Sequence, residues 1–596
     1  MLEREALRAM KRRVLSFLTA IAVLAGLAGC SSGSSGGQAT AAASGEGDYE
    51  TEIFGKDVIT VNITASQEDW DSLMENAVSK PYISADVEIN GVTFKDVGIK
   101  TKGNTTLTQV AASGSDRFSL KLNFDKYAEG QNCYGLDTLD LNNIYGDSTY
   151  LKEYMSYALL NYMEVPSSLC TFADISVNGE HYGLFLAVED VDESFLERNY
   201  GENYTGKAYK PESLDMDDNA QGAAQAADGE DVTAAVTPAA AEQPAAPSGN
   251  AVPQPSGDGA VMPSDMPRTS DNANGGGPGM SGGAPGGNGQ NFGGGGTSSM
   301  DGGALGVNLV YTDDELSSYS NIFDNAITDV TEEDENQLIA SLKGIGEGED
   351  LEKYINVDEV LRYAATNVFL VNLDSYLSNM GHNYCLYEDN GQLSMIPWDY
   401  NLSFGTYNSS GASDAVNYAV DTVFSGVTAD ERPIIGKLLE NDEYLAKYHE
   451  YLSQLAEYVT SGKFAEKVDA VSEVIDSYVK DDDTSFEGYD AYTAGVEELK
   501  TFASLRAQSV AGQLDGSIPS TLEAQSGSEA LVDASGLDMS ALGTIGNTGG
   551  GQAGNGGFGG GGGIAPSGGN QTPPSGGAPG GNQGSESLSQ QGAASS

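Results

Sequence analysis

Apolar and polar positions along this chain follow two rhythms. Over residues 58–188 the period is mostly two: 58–63 reads VITVNI and 118–124 reads FSLKLNF, each predicting a strand with one buried face. Asn90-Gly91 separates alternating runs at 85–89 and 92–99, and Asn178-Gly179 separates 171–177 from 182–188. Both pairs are predicted as hairpins, because Asn-Gly tolerates the positive φ of a tight turn. A short helix is expected at 67–76 behind Ser66, and Leu151, Met155, Leu159 and Tyr162 recur at helical spacing with Asp147 and Ser148 as caps. A further helix is expected at 190–200. Beyond 307 helical spacing dominates, at 356–371 and 431–515. One hairpin interrupts it, with Tyr384, Leu386, Met395 and Pro397 around an Asp389-Asn390-Gly391 turn.

Elsewhere neither rhythm holds. Arg4, Arg8, Lys11, Arg12 and Arg13 precede an apolar run at 14–27 that ends in Leu27-Ala28-Gly29-Cys30, so 1–30 reads as a signal peptide with a lipobox. The segment resembles those of bacterial lipoproteins, in which Cys30 would take diacylglycerol. The chain is therefore expected to be extracytoplasmic and lipid-anchored to the bacterial cell membrane. Residues 31–48 are a Ser, Gly and Ala tether. The Gly/Ala/Pro-rich insert at 213–306 and the Gly/Ser/Asn-rich tail at 525–596 hold too few large apolar side chains to offset the entropy of ordering, and both are expected to be disordered. What remains is a strand-rich segment, 49–212, and a mainly helical one, 307–524. Strands, one helix, two strands and a connection is the order of a kinase small lobe, so the predicted fold is α+β, an atypical protein-kinase-like two-lobed fold.

A formal charge of −58 argues against nucleic acid as a partner and makes the scarce lysines informative, since an anionic ligand would need them. With Cys30 assigned to lipid, Cys133, Cys170 and Cys385 form neither a disulfide framework nor a zinc spacing.

The hairpin at 384–397 carries the candidate chemistry. Asp374 precedes it, Asn383 opens it and Asp399 closes it, the layout that phosphoryl transfer needs: a catalytic acid to orient or deprotonate an acceptor hydroxyl, and Asn383 with Asp399 to hold divalent metal on nucleotide phosphates. Singly, each is as well explained as a turn or strand-end residue. Lys121, on the alternating strand, is the first candidate for the nucleotide phosphates, with Glu153 on the following helix as its partner or as an exposed first-turn acid. Lys100 and Lys102 could approach phosphates from a flexible turn at 103–106, and Glu189 with Asp190 lies where a hinge would pass the adenine. His382 is expected to bond a backbone carbonyl, and Trp398 to anchor a core.

The blocks VGIKTKGNTT, RFSLKLNFDKY, FADISVNGEHYGLFLAVEDVDESFLERNY and LDSYLSNMGHNYCLYEDNGQLSMIPWDYNLSFG resemble the spore-coat CotH family of atypical secreted kinases. The resemblance implies ATP with Mg²⁺ or Mn²⁺ as cofactors, a surface or coat protein as substrate, and transfer to its Ser/Thr hydroxyls. Asn401 stands where many members carry a second acid, which leaves Asp399 as the main metal ligand. The alternative is a noncatalytic surface or spore-coat assembly lipoprotein that keeps the fold.

Overall fold

The computed structural model describes residues 47–212 and 306–543. The lipobox with Cys30, nearly all of the tether, the insert at 213–305 and the tail beyond 543 lie outside them. Seven strands, β1 (Val58–Thr64), β2 (Ile83–Ile89), β3 (Val92–Thr101), β4 (Leu120–Asn123), β5 (Thr138–Asn142), β6 (Cys170–Val177) and β7 (Glu180–Glu189), form a closed barrel in the order β1-β2-β3-β4-β5-β7-β6. The last seam, β1 on β6, is parallel; every other seam is antiparallel. Both Asn-Gly pairs turn as expected, with φ of 50° and 84° at Asn90 and Gly91 and of 52° and 86° at Asn178 and Gly179.

Period two explains what each face does. Ile59, Val61, Ile63, Leu120, Leu122, Leu139, Leu141, Phe185 and Ala187 point inward and make one core. On β7 the alternate residues Leu184, Leu186 and Val188 join a second, larger core shared with the helices, so this strand is buried on both faces and its sequence loses alternation.

The longer helices beside the barrel are α1 (Gln67–Glu75), α2 (Thr105–Ser113), α3 (Lys152–Tyr162) and α4 (Glu193–Tyr200). Ser66 caps α1 by accepting the Asp69 amide. Asp147 holds the entry to α3, its two carboxylate oxygens accepting the amides of Thr149 and Lys152, each at 2.9 Å. After β8 (Lys207–Tyr209) and the residues to 212, the described chain resumes at a 3₁₀ turn, Gly306–Asn308. Then come α5 (Glu332–Glu347), α6 (Val357–Leu370), the hairpin β9 (Tyr384–Asp389) and β10 (Gln392–Pro397), and α7 (Pro433–Leu439), α8 (Asp442–Thr460), α9 (Lys463–Asp481) and α10 (Tyr489–Asp515). β8 adds to the hairpin as a third strand beside β9. Among the described residues no helix is long and apolar enough to cross a membrane.

The tail expected from 525 starts later. Ala534, Leu537 and Leu542 are buried in the larger core, and the Val532 amide donates to Asn417 Oδ1 at 3.0 Å. A few leucines in a polar stretch suffice to dock it, which average composition conceals. Barrel and helices are clipped together by Arg117. Its guanidinium pairs with Asp482 at 2.8 Å and donates to the carbonyls of Leu184 and Asn143, while the Leu184 amide donates to the same Asp482 oxygen.

Candidate active site

The hairpin register places the acids. Pro397 pairs with Tyr384, so Asn383 and Asp399 stand one and two residues beyond the last pair at the same end, tied by the Trp398 amide to the Asn383 carbonyl at 3.2 Å. Both adopt left-handed backbone, φ 59° and 54°, a conformation Asn and Asp tolerate better than other side-chain-bearing residues. Asp374 arrives from the other side. Helix α6 ends at Val371 with φ 49°, a costly geometry for a β-branched residue, and the chain turns through Asn372, whose side chain accepts the Asp374 amide at 3.3 Å. The Asp374 carboxylate then contacts His382 Nε2 at 2.6 Å and accepts from Asn383 Nδ2 at 3.0 Å. His382 therefore bonds the Asp374 carboxylate. Asp374, His382, Asn383 and Asp399 all line one cleft of about 430 Å³.

The opposite wall is the barrel. Register sets Lys100 against Lys121 and Lys121 against Asp140, a cross-strand row through β3, β4 and β5, and Lys102 follows on the Lys100 face. Like charges directly opposite are unfavourable in a sheet, so this row needs anions beside it. Asp140 supplies one: fully buried, it takes Lys102 Nζ at 2.5 Å and lies 3.4 Å from Lys121 Nζ, which also pairs with Asp190. Burial opposes the charge on Lys121, yet Asp140 and Asp190 hold its pKa above the ordinary lysine value.

The expected Lys121–Glu153 pair does not form. Glu153 instead accepts from Asn142 Nδ2 at 2.9 Å, and Asn142 Oδ1 accepts from Lys102 at 2.9 Å, so Asn142 stands between lysine and glutamate. Burial, reinforced by the charge of Asp399, pushes the Glu153 carboxyl up to about 8. The Glu189 side chain is engaged in a buried brace, accepting from Arg198, the Tyr49 hydroxyl and the Leu169 amide, and is not among the cleft-lining residues. Strand position alone did not reveal the partner of the Glu189 carboxylate, an arginine nine residues later on α4.

The turn at 103–106 is a helix start. Gly103, at φ 104°, leads into α2, and Gly103, Asn104, Thr105 and Thr106 line the cleft. No side chain caps this end; the Asn104 oxygen takes Lys80 Nζ at 2.8 Å instead, so first-turn amides and their dipole face the cleft. Lys210, at the end of β8, completes five lysines in the lining of a chain whose net charge is −58. Asp140 and Lys210 went unread in the sequence. An Asp between leucines in TLDLN was the one available signal for the first.

Asp399 is half-buried, and no hydrogen bond reaches its carboxylate among the described residues. Burial and the charge of Asp374 raise its pKa against the opposing charges of Lys102, His382 and Lys210. Cys133, Cys170 and Cys385 are all free thiols.

The fold is a barrel-and-helix α+β arrangement whose cleft sets lysines and a helix N-terminus on one wall against Asp374 and Asp399 on the other, the donor set that a phosphate-bearing anion requires. A family model described as CotH kinase protein matches residues 99–245 and 298–510, more than half of the chain, and the chain belongs to that family. It is also similar to Inner spore coat protein H of Bacillus subtilis (strain 168), 28% identical over 147 residues. That match spans 23% of this chain and 37% of the relative's length.

Proposed function

We propose that this chain is an extracytoplasmic kinase of two-lobed build, lipid-anchored through Cys30, that transfers the γ-phosphoryl group of ATP to Ser/Thr hydroxyls of a surface or coat protein. The observation that carries the reading is the meeting of Asp374, Asn383 and Asp399 with the Lys102–Asp140–Lys121 network across one cleft. Lys102, Lys121 and the α2 amides would bind phosphate oxygens, as charge-assisted donors do elsewhere. Asp374, held by His382 and Asn383, would accept the proton of the acceptor hydroxyl.

The residues also fit a divalent cation. Asp399 is a carboxylate without a hydrogen-bond donor, and Asn383 Nδ2 is held by Asp374, which leaves the amide oxygen for a metal. Among the described residues no three His, Cys, Asp or Glu side chains gather as a metal site, so the ion would be shared with the nucleotide, the usual arrangement for Mg²⁺. Bound there, Mg²⁺ or Mn²⁺ would neutralise phosphate charge.

Calorimetric titration of the full chain with ATP, with and without Mn²⁺, tests the reading. Asp399→Asn is expected to weaken metal-dependent ATP binding by at least roughly 100-fold while the fold persists; unchanged affinity would remove Asp399 from the site. A noncatalytic spore-coat or surface module is the second reading. It is favoured by Asn401 in the cleft lining and by the relative's name, and a chain that binds no nucleotide in either titration would establish it over the first.

A further inference from the structure

We propose that Lys210 contacts the terminal phosphoryl group during transfer, a role that rests on the kinase reading above. Lys102 and Lys121 each have carboxylate partners in the cleft. Lys210 differs. Its ammonium lies 4.5 Å from the centroid of the Trp398 ring, and among the described residues no carboxylate or carbonyl accepts from it. An ammonium has three donors, and a ring face engages its charge without supplying an acceptor lone pair. Lys102 lies over the same ring at 5.2 Å, so Trp398 carries two cations immediately before Asp399 in sequence. The charge of Lys210 acts on both Asp190 and Asp399.

The lysine is firmly mounted. Its own amide donates to the Asn325 carbonyl at 2.9 Å, Tyr209 before it is buried and paired with Leu386 of the catalytic hairpin, and Asn321 exchanges two hydrogen bonds with the Glu212 backbone. A cation on a rigid strand end, adjacent to the proposed metal residue, is placed where charge develops. In the transfer step the acceptor Oγ forms a bond to the γ-phosphorus, and the bond from that phosphorus to the bridging oxygen breaks. Its electron pair leaves with ADP, and the hydroxyl proton passes to Asp374. Lys210 donates hydrogen bonds to oxygens of the group in transit.

The test uses the full chain with Mn²⁺ and compares ATP with ADP. Lys210→Met is expected to bind ADP within about 3-fold of the native chain, to bind ATP about 10-fold more weakly and to transfer about 100-fold more slowly, while Lys210→Arg regains ATP affinity. In a Trp70→Phe background, which leaves Trp398 as the sole indole, ATP should change the emission more than ADP, and the difference should vanish in Lys210→Met. Equal weakening toward both nucleotides, or none, overturns the role. If the Met variant does not fold, the ATP-to-ADP affinity ratio of the Arg variant and the native emission difference decide in its place. A native chain that binds neither nucleotide overturns the kinase reading itself and this role with it.

Discussion

Asp374 is held at three points, by His382, by the Asn383 amide group and by its own backbone amide, so in the proposed kinase reading its part in chemistry is separable from any part in binding. Asp374→Asn keeps the size and one acceptor oxygen but cannot accept a proton. It is expected to retain ATP affinity and lose transfer by about 100-fold or more, read from single-turnover kinetics beside calorimetry. A second residue tests electrostatics away from the cleft. Burial, with the Asp358 charge and against the Ser394 hydroxyl, pushes the Glu359 carboxyl up to about 7. Its folded pKa lies above its unfolded one, so the native state holds this proton more tightly and stability falls as pH rises from the unfolded value toward 7. Glu359→Gln should therefore melt a few degrees higher than the native chain above pH 7 and alongside it near pH 4. Residues such as Asp374, Asn383 and Asp399 were legible because a local hairpin fixes their register within a single stretch of 26 residues. Asp140 and Lys210 were not, since their partners come from strands and loops distant in sequence.

The loop from 374 to 383 is shaped from outside by a buried cation. Arg432, at the start of α7, donates to the carbonyls of Tyr376 and Ser378 and to Asn308, and its guanidinium stacks on Tyr376 at 5.3 Å. Gly381 lies against it: φ is 60°, and a Cβ there would come within 2.9 Å of an Arg432 nitrogen. Gly381→Ala should cost about 1–2 kcal/mol for the left-handed backbone alone, with loss of transfer beyond what lowered stability explains. Thermal melts and turnover, measured together, check this. Arg506 does similar work one element earlier, donating to the carbonyls of Val368 and Phe369 at the end of α6. Elements whose pattern is self-contained, the three hairpins and helix α6, read directly from sequence, whereas the 16-residue α5 did not. Strand β5, only five residues, and α2, whose nine residues carry few large apolar side chains, did not, and both contribute cleft residues.

Across the whole molecule the Arg117–Asp482 clip joins barrel to helices. Burial opposes the Asp482 charge, but Arg117, the Thr484 hydroxyl and the Leu184 amide hold its pKa below the ordinary value. The pair's contribution is thus present above the unfolded carboxyl pKa and lost as pH falls through the folded one. Asp482→Asn, by leaving the buried guanidinium without a counter-charge, should lower stability by about 3–5 kcal/mol at neutral pH and by progressively less as pH falls below the ordinary carboxyl value, as denaturant titrations would record. Replacing 213–305 by a Gly/Ser linker of about 20 residues should leave melting nearly unchanged, because closure entropy grows only logarithmically with length. The clip could not be read from the sequence, since Arg117 and Asp482 are separated by hundreds of residues. The parallel seam of the barrel has a further consequence for how the protein is made. Strand β1 meets its second neighbour only when β6 exists, and Asn178 must be in place to donate to the Ile63 carbonyl at 2.8 Å. A chain emerging N-terminus first therefore leaves one flank of its earliest strand without its partner until more than a hundred further residues have followed, an open edge of the kind that can pair with a neighbouring copy.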